Sequence, residues 1–321
     1  MSNRAKIWLI IAVVFILVGM ITFGSVMTVL SWDFTQLSTD EYETNEYGIH
    51  EPYHDISIVT GTAHVVILPA KDWETSVVCY ESQNLRHSVA VKDGTLTVEV
   101  NDTRKWYEHI GINFSAPSVT VYIPKGEYGD LDISVSTGDV DIPEGFGFEN
   151  IDVAASTGRV TCGAVAKQDV NITTTTGNIF GNGVCAKSIN LSVSTGRVEL
   201  NGITCEGDLS VTVSTGKARV SGVNCRNFRS DGDTGRLYLG YLEAEEKITV
   251  KRSTGDVSFD NCDAAELFIE TSTGDVEGTL RSDKVFIVRT DTGDVEVPKT
   301  TSGGRCEITT DTGDIEISII H

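Results

Sequence analysis

The sequence predicts an all-β chain. It should form a single-stranded parallel β-solenoid (β-helix) of about ten 19–20-residue turns, preceded by one N-terminal transmembrane helix. Three observations predict this. First, a Thr-Gly pair recurs ten times at intervals of 19 or 20 residues, its glycines being Gly138, Gly158, Gly177, Gly196, Gly216, Gly235, Gly255, Gly274, Gly293 and Gly313. Second, apolar residues alternate on both sides of every pair, with the period of a strand. Third, 26 uncharged residues, Ile7 to Trp32, stand near the N-terminus.

In chain order, residues 1–6 read as a cytoplasmic stub and 7–32 as a membrane anchor. As a helix the anchor would span about 39 Å, enough for a hydrocarbon layer of ~30 Å. Trp8 and Trp32 lie near its ends, Arg4 and Lys6 precede it, and Asp33 follows. That charge pattern predicts a single-pass cell-membrane protein with its N-terminus in the cytoplasm and its C-terminal domain extracellular. A cleaved signal peptide is the alternative. Its apolar core would be shorter, and no A-x-A site closes this run.

Residues 33–54 are polar and acidic and read as a tether. Residues 55–125 are strand-like but off-period, with a weaker Thr60-Gly61 pair and an Asp93-Gly94 turn, and are expected to form irregular first solenoid turns. Within them, residues 101–117 have no counterpart in the repeat and carry Trp106 and Tyr107. The segment reads as a cap over the solenoid end or as an exposed aromatic binding loop.

Residues 126–321 hold the regular repeats. Two residues after each glycine stands an apolar side chain, from Val140 to Ile315, and seven before it another, from Leu131 to Cys306. Five before, only Ser230 breaks the aliphatic column. Each unit reads as strand, turn, strand and second corner, with Gly accepting positive φ at the turn. A two-strand unit cannot bury its apolar side alone; parallel stacking about 4.8 Å apart does so, giving a rod of about 50 Å. An antiparallel sandwich or barrel is the competing architecture. Identical turn residues in register favour the stack.

Behind the anchor lie all 46 acidic residues and 23 of the 25 basic ones. A charge near −23 argues against nucleic acid or anionic lipid as a partner. The seven cysteines are odd in number and cannot all pair. Cys185, Cys205 and Cys225, spaced by 20, are expected to form one ladder of buried free thiols. No C-x-x-C pair occurs, so a cysteine metal centre is not expected.

No histidine lies between 110 and 320, and no nucleophile elbow, phosphate loop, HExxH or dinucleotide fingerprint occurs. The expectation is no enzyme and no cofactor. A carboxylate-based polysaccharide-acting enzyme remains a minor alternative.

The position after each repeat glycine reads Asp139, Arg159, Asn178, Arg197, Lys217, Arg236, Asp256, Asp275, Asp294 and Asp314. A stack turns this into a stripe, basic in the middle and acidic toward the C-terminus. Glu277, Glu296 and Glu316 extend the acidic side. Like charges about 5 Å apart repel by roughly 1 kcal/mol per pair in water. Weak Ca²⁺ along Asp256, Asp275, Glu277, Asp294, Glu296, Asp314 and Glu316 would relieve that; a solvated polar face is the plainer reading. The basic segment Arg159, Arg197, Lys217 and Arg236 could touch anionic wall polymer, with the same plain alternative. The Ser-Thr column reads as structural.

The repeated STGDV and DTGDV-type units (136–140, 253–257, 272–276, 291–295, 311–315) behind an N-terminal anchor resemble the bacterial "putative adhesin" domains of unknown function. The resemblance covers residues 55–321. It implies a β-solenoid on a bacterial surface of Gram-positive type and supplies no catalytic residues. The basic residues of the middle repeats depart from the Asp pattern. Taken together, these readings give a non-catalytic adhesin or envelope-associated scaffold, meeting cell-wall polymer or a surface protein. The alternative is an accessory component of an envelope-stress sensing system.

Overall fold

A computed structural model describes residues 3–33, 41–103 and 116–320. Trp106 and Tyr107 lie outside the described residues, as does most of the segment around them.

The N-terminal helix is Asn3–Val29, with mean hydropathy 2.8 over its most apolar stretch and no part of that stretch buried. Its apolar residues run all round. Its hydroxyls are satisfied inside the helix: Thr22 donates to Val18 O, Ser25 to Ile21 O and Thr28 to Gly24 O. Such a helix is long and apolar enough to be a membrane span or a signal sequence.

The repeats form a column. Strands Leu131–Thr137, Ile151–Cys162, Asp169–Asn182, Ser188–Cys205, Asp208–Thr234, Leu237–Thr254 and Val257–Thr273 follow one another in parallel register. Gly158 pairs with Gly177, Gly177 with Gly196, and Gly196 with Gly216. A fold of stacked parallel strands satisfies each backbone group from the coils above and below. The interior columns are the ones the alternation marks: Leu131, Ile133, Val140 and Ile142 in one coil, Leu209, Val211, Ala218 and Val220 in another, all buried.

The coil has three sides, one more than the repeat suggests. Short strands Gly147–Phe148, Val165–Ala166 and Cys185–Ala186 stack as the third. The first of them turns Phe148 inward, and the later inward residues are small: Ala166, Ala186, Cys205, Cys225, Ala244 and Ala264 are buried there. The expected three-rung cysteine ladder does not form. Cys185 pairs with Thr204, and Ala186 with Cys205. The repeat between Gly177 and Gly196 is 19 residues long, so a spacing of 20 shifts the thiol by one position and turns Cys185 outward. All seven thiols are free, and all except half-buried Cys185 are buried.

Ser230, the exception in the aliphatic column, has a partner. Arg252 is buried and donates to Ser230 Oγ at 2.8 Å and to Val213 O at 3.4 Å. Gly232 makes the space: a Cβ there would collide with the Arg252 guanidinium.

Both ends depart from simple stacking. At the N-terminal end, strand Asp55–Thr60 lies in register beneath Leu131–Thr137, Thr60 opposite Val135, and Val65 opposite Val140. Both offsets are 75 residues (135 − 60 and 140 − 65), so the rung's Thr is Thr62, and Ala63 holds the glycine position. The Thr60-Gly61 pair is therefore two residues out of register, and Thr60 points inward. Below this rung lies one more parallel layer, Thr95–Asp102 under Asp55–Thr60 and Ser118–Ile123 under His64–Pro69, and only then does the sheet turn antiparallel. Thr75–Ser82 runs antiparallel to Ser118–Ile123 and to Tyr42–Ile49, and Leu85–Lys92 forms a hairpin with Thr95–Asp102.

At the C-terminal end the last two rungs exchange order. Gly304–Thr312 pairs with Val257–Thr273 on one side and Lys284–Thr292 on the other. The stack therefore reads Gly255, Gly274, Gly313, Gly293. Residues 297–303 carry the chain back across the end. Gly303 and Gly304 then slip between two rungs, where a Cβ would strike Asp283 O and Ala265 O respectively. Lys284–Thr292 is left outermost, with Ile287 half exposed.

Candidate functional site

The feature that repeats on the outside is the Thr-Gly-Asp edge. A Cβ on each repeat glycine would lie well under 3.0 Å from a carbonyl oxygen of the rung beneath: Ala63 O for Gly138, Gly138 O for Gly158, Gly177 O for Gly196, Gly274 O for Gly313. Positive φ compounds this, as at Gly196 (148°) and Gly216 (142°). The glycine is thus fixed by close backbone approach between coils. The threonine before it is exposed at every rung.

The charged stripe forms in the order of the stack. The backbone N–H of Arg159 donates to Asp139 Oδ1 at 2.8 Å. Asp275 N–H donates to Asp256 Oδ1 (3.3 Å), Asp314 N–H to Asp275 Oδ1 (2.9 Å), and Asp294 N–H to Asp314 Oδ1 (2.8 Å). Each carboxylate holds the turn of the next coil, which explains an acidic residue at this position without a bound cation. In the first rung His64 Nδ1 takes the same role, accepting Asp139 N–H at 2.9 Å. Neither His64 nor Ala63 belongs to the sequence motif, so repeat counting passes over both.

Arg159, Arg197, Lys217 and Arg236 are exposed on this edge. Arg197 and Lys217 are direct neighbours, while Asn178 separates Arg159 from Arg197. Arg236 closes the basic run against Asp256 at 3.1 Å. Glu277 pairs in register with Glu316, and Glu316 with Glu296. Glu277 and Glu316 line an open groove of about 440 Å³ with Tyr238, Asp260, Thr279 and Ser318. Ser258 donates to Glu277 Oε1 at 3.1 Å and Thr279 to Asp260 Oδ1 at 3.4 Å. The residues of the acidic stripe are thus together in space, in two adjoining columns.

A filled, three-sided β-column with an ordered polar edge defines the class: a β-solenoid domain behind an apolar N-terminal helix. The chain belongs to the Toastrack DUF4097 family, whose model matches residues 53–222 and 204–321. Solved structures resemble it at low identity. A "putative adhesin" from Parabacteroides distasonis is 13% identical, covering 88% of this chain and 98% of its own, with TM-score 0.49. Another from Bacteroides fragilis is 14% identical, covering 88% and 99%, with TM-score 0.42. A "putative lipid binding protein" from Parabacteroides distasonis is 15% identical, covering 75% and 95%, with TM-score 0.39. Among curated proteins, none matches this chain.

Proposed function

We propose that this chain is a non-catalytic surface protein, held in the cell membrane by residues 7–32 with its N-terminus in the cytoplasm. Its column acts as an adhesin or envelope-associated scaffold. The observation that carries the reading is the edge itself: exposed threonines and charged residues repeat rung by rung along a rigid, filled rod. A ligand with a repeating charge, such as an anionic wall polymer, matches such a linear face; a small substrate needs one convergent pocket. Arg159, Arg197, Lys217 and Arg236 would form the polymer-facing segment. A sedimentation assay with wall fragments tests this. Single Arg→Gln changes should each weaken binding about two- to threefold and combine additively, as for separate screened contacts. Complete loss from one substitution would point to a discrete site and contradict the reading. Co-purification with a membrane sensor, lost on exchanging the anchor, would instead favour the stress-sensing role.

Weak calcium binding on the acidic columns belongs to the same proposal. Oδ1 of Asp256, Asp275 and Asp314 accepts a backbone N–H and Asp256 Oδ2 lies against Arg236, so the ion would draw chiefly on Oδ2 of Asp275 and Asp314 and on the Asp294 carboxylate, with Glu277, Glu296 and Glu316 and with Asp256 at the margin. Millimolar calcium should raise the melting temperature of the wild type and not that of E277Q/E316Q. An unshifted wild type would contradict calcium binding.

A further inference from the structure

We propose that Cys79, Glu81 and His87 form a buried zinc site that fastens the N-terminal cap to the first coil. Alternation along Thr75–Ser82 turns Thr75, Val77, Cys79 and Glu81 inward. A carboxylate therefore enters an apolar interior, with Cys79 and Glu81 both 0% exposed. The chain reverses at once, and Ser82 pairs with Leu85. On the returning strand Leu85–Lys92, His87 alone is buried. Cys79 Sγ, a Glu81 carboxylate oxygen and a His87 ring nitrogen lie within 4.8 Å of one another. Sulfur, nitrogen and carboxylate oxygen together are the donor set of zinc.

Two of the three donors are oriented from behind. Asn45 Nδ2 donates to Glu81 Oε1 at 2.8 Å, which leaves Oε2 toward the cluster. The backbone N–H of His87 reaches Oε2 at 2.6 Å. Thr60 Oγ1 sits 2.9 Å from His87 Nε2, so it can fix the ring with Nδ1 facing Glu81 and Cys79. Outer partners of this kind are what metal-ligating histidine and carboxylate require. The order Thr60, His87, Glu81 also looks like a nucleophile relay. Thr60 is only 4% exposed, however, and a substrate would have to enter the core to meet it.

Without an ion, Nδ1 lies at hydrogen-bond distance, 2.6 Å, from Glu81 Oε2. Zinc held by both would replace that contact: the Nδ1 proton would move to Nε2, where Thr60 Oγ1 would accept it, and the Cys79 thiol would release its proton to solvent. Thiolate and carboxylate then balance the two charges of zinc, so the core holds no net charge. Burial and the nearby Glu81 carboxylate push the Cys79 thiol up to about 12, so the ion itself must ionise it. A solenoid end must be closed against edge pairing. This site would tie the hairpin of the cap to Thr60 at the end of the first coil's strand.

The test uses the full chain in detergent, stripped of metal with a chelator and titrated with cobalt, then zinc. Expected are a thiolate-to-cobalt absorption band that saturates at about one equivalent, its displacement by zinc, and a higher melting temperature with zinc. C79S and H87Q should abolish the band, and C306S, which removes a distant buried thiol, should keep it. X-ray absorption of the wild-type zinc form gives a readout independent of how the variants fold. It should find one sulfur among nitrogen and oxygen donors. Lack of a band in the wild type, a band surviving in C79S, or a shell with no sulfur or several sulfurs would overturn the site.

Discussion

Ala63 lies directly beneath Gly138, its carbonyl oxygen occupying the place a Cβ on Gly138 would need. Ala63 belongs to the first rung of the edge, where the site needs no glycine. Every later rung sits on a carbonyl and carries glycine. G196A or G216A should therefore cost about 3 kcal/mol or more, from clash and positive-φ strain together. A63G should cost less, about 1–2 kcal/mol, from the ordinary glycine penalty and the loss of one buried methyl. Denaturant unfolding of the three variants decides it.

The exchanged order of the last rungs makes an asymmetric prediction. Asp314 holds the N–H of Asp294, and Asp294 is in the outermost rung. D314A should destabilise the chain by about 1 kcal/mol, the net value of a hydrogen bond, with D294A nearly neutral. Stacking in simple chain order would reverse the two, and thermal melts of the pair distinguish them.

The buried Arg252 is matched to Ser230 and to the space at Gly232. Burial lowers its pKa, and its Nε has no partner, so the guanidinium is costly where it stands. S230V should destabilise by about 2 kcal/mol, because it removes an acceptor from a buried charge. The double variant S230V/R252L should recover that loss and equal or exceed the wild type. A double-mutant cycle with strictly additive terms would contradict the pairing.

Burial raises the thiols of Cys225 and Cys306 to about 12 and those of Cys162 and Cys262 to about 11, from an ordinary value of 9.0. The sign follows from linkage. Below pH 9 these thiols are protonated both folded and unfolded, and their contribution is fully present. Above pH 9 only the unfolded chain loses the protons, so stability falls as pH rises toward 11–12. Urea midpoints between pH 8 and 11 should decline, and C225S or C306S should flatten the decline. Alkylation at pH 8 should mark half-buried Cys185 well before the other six.

Most of the column is legible in the sequence, because burial on both sides of each Thr-Gly pair is periodic and the pair itself is imposed by inter-coil contact. What escapes is whatever the repeat leaves degenerate. The Thr-Gly units are interchangeable, so no periodicity reveals that Gly313 sits between Gly274 and Gly293; the Gly303-Gly304 pair is the one local sign. The first rung hides because Ala63 and His64 do the work of Gly and Asp in different residue types. The thiol offset was readable by subtraction, since Cys185 follows a 19-residue repeat. The Cys79–Glu81–His87 cluster eludes a search for paired cysteines, because its ligands come from alternation within one hairpin.

The most direct test of the stacked column is a set of distances between nitroxide labels on exposed edge threonines, in a C185S background. Thr137 and Thr254 lie six rungs apart and should be separated by about 29 Å, adjacent Thr273 and Thr312 by about 5 Å, and Thr273 and Thr292 by about 10 Å, before allowance for label linkers. Distances that rise by one rung spacing per coil, with Thr312 nearer than Thr292 to Thr273, are the expected result. Distances unrelated to rung number would contradict the column itself.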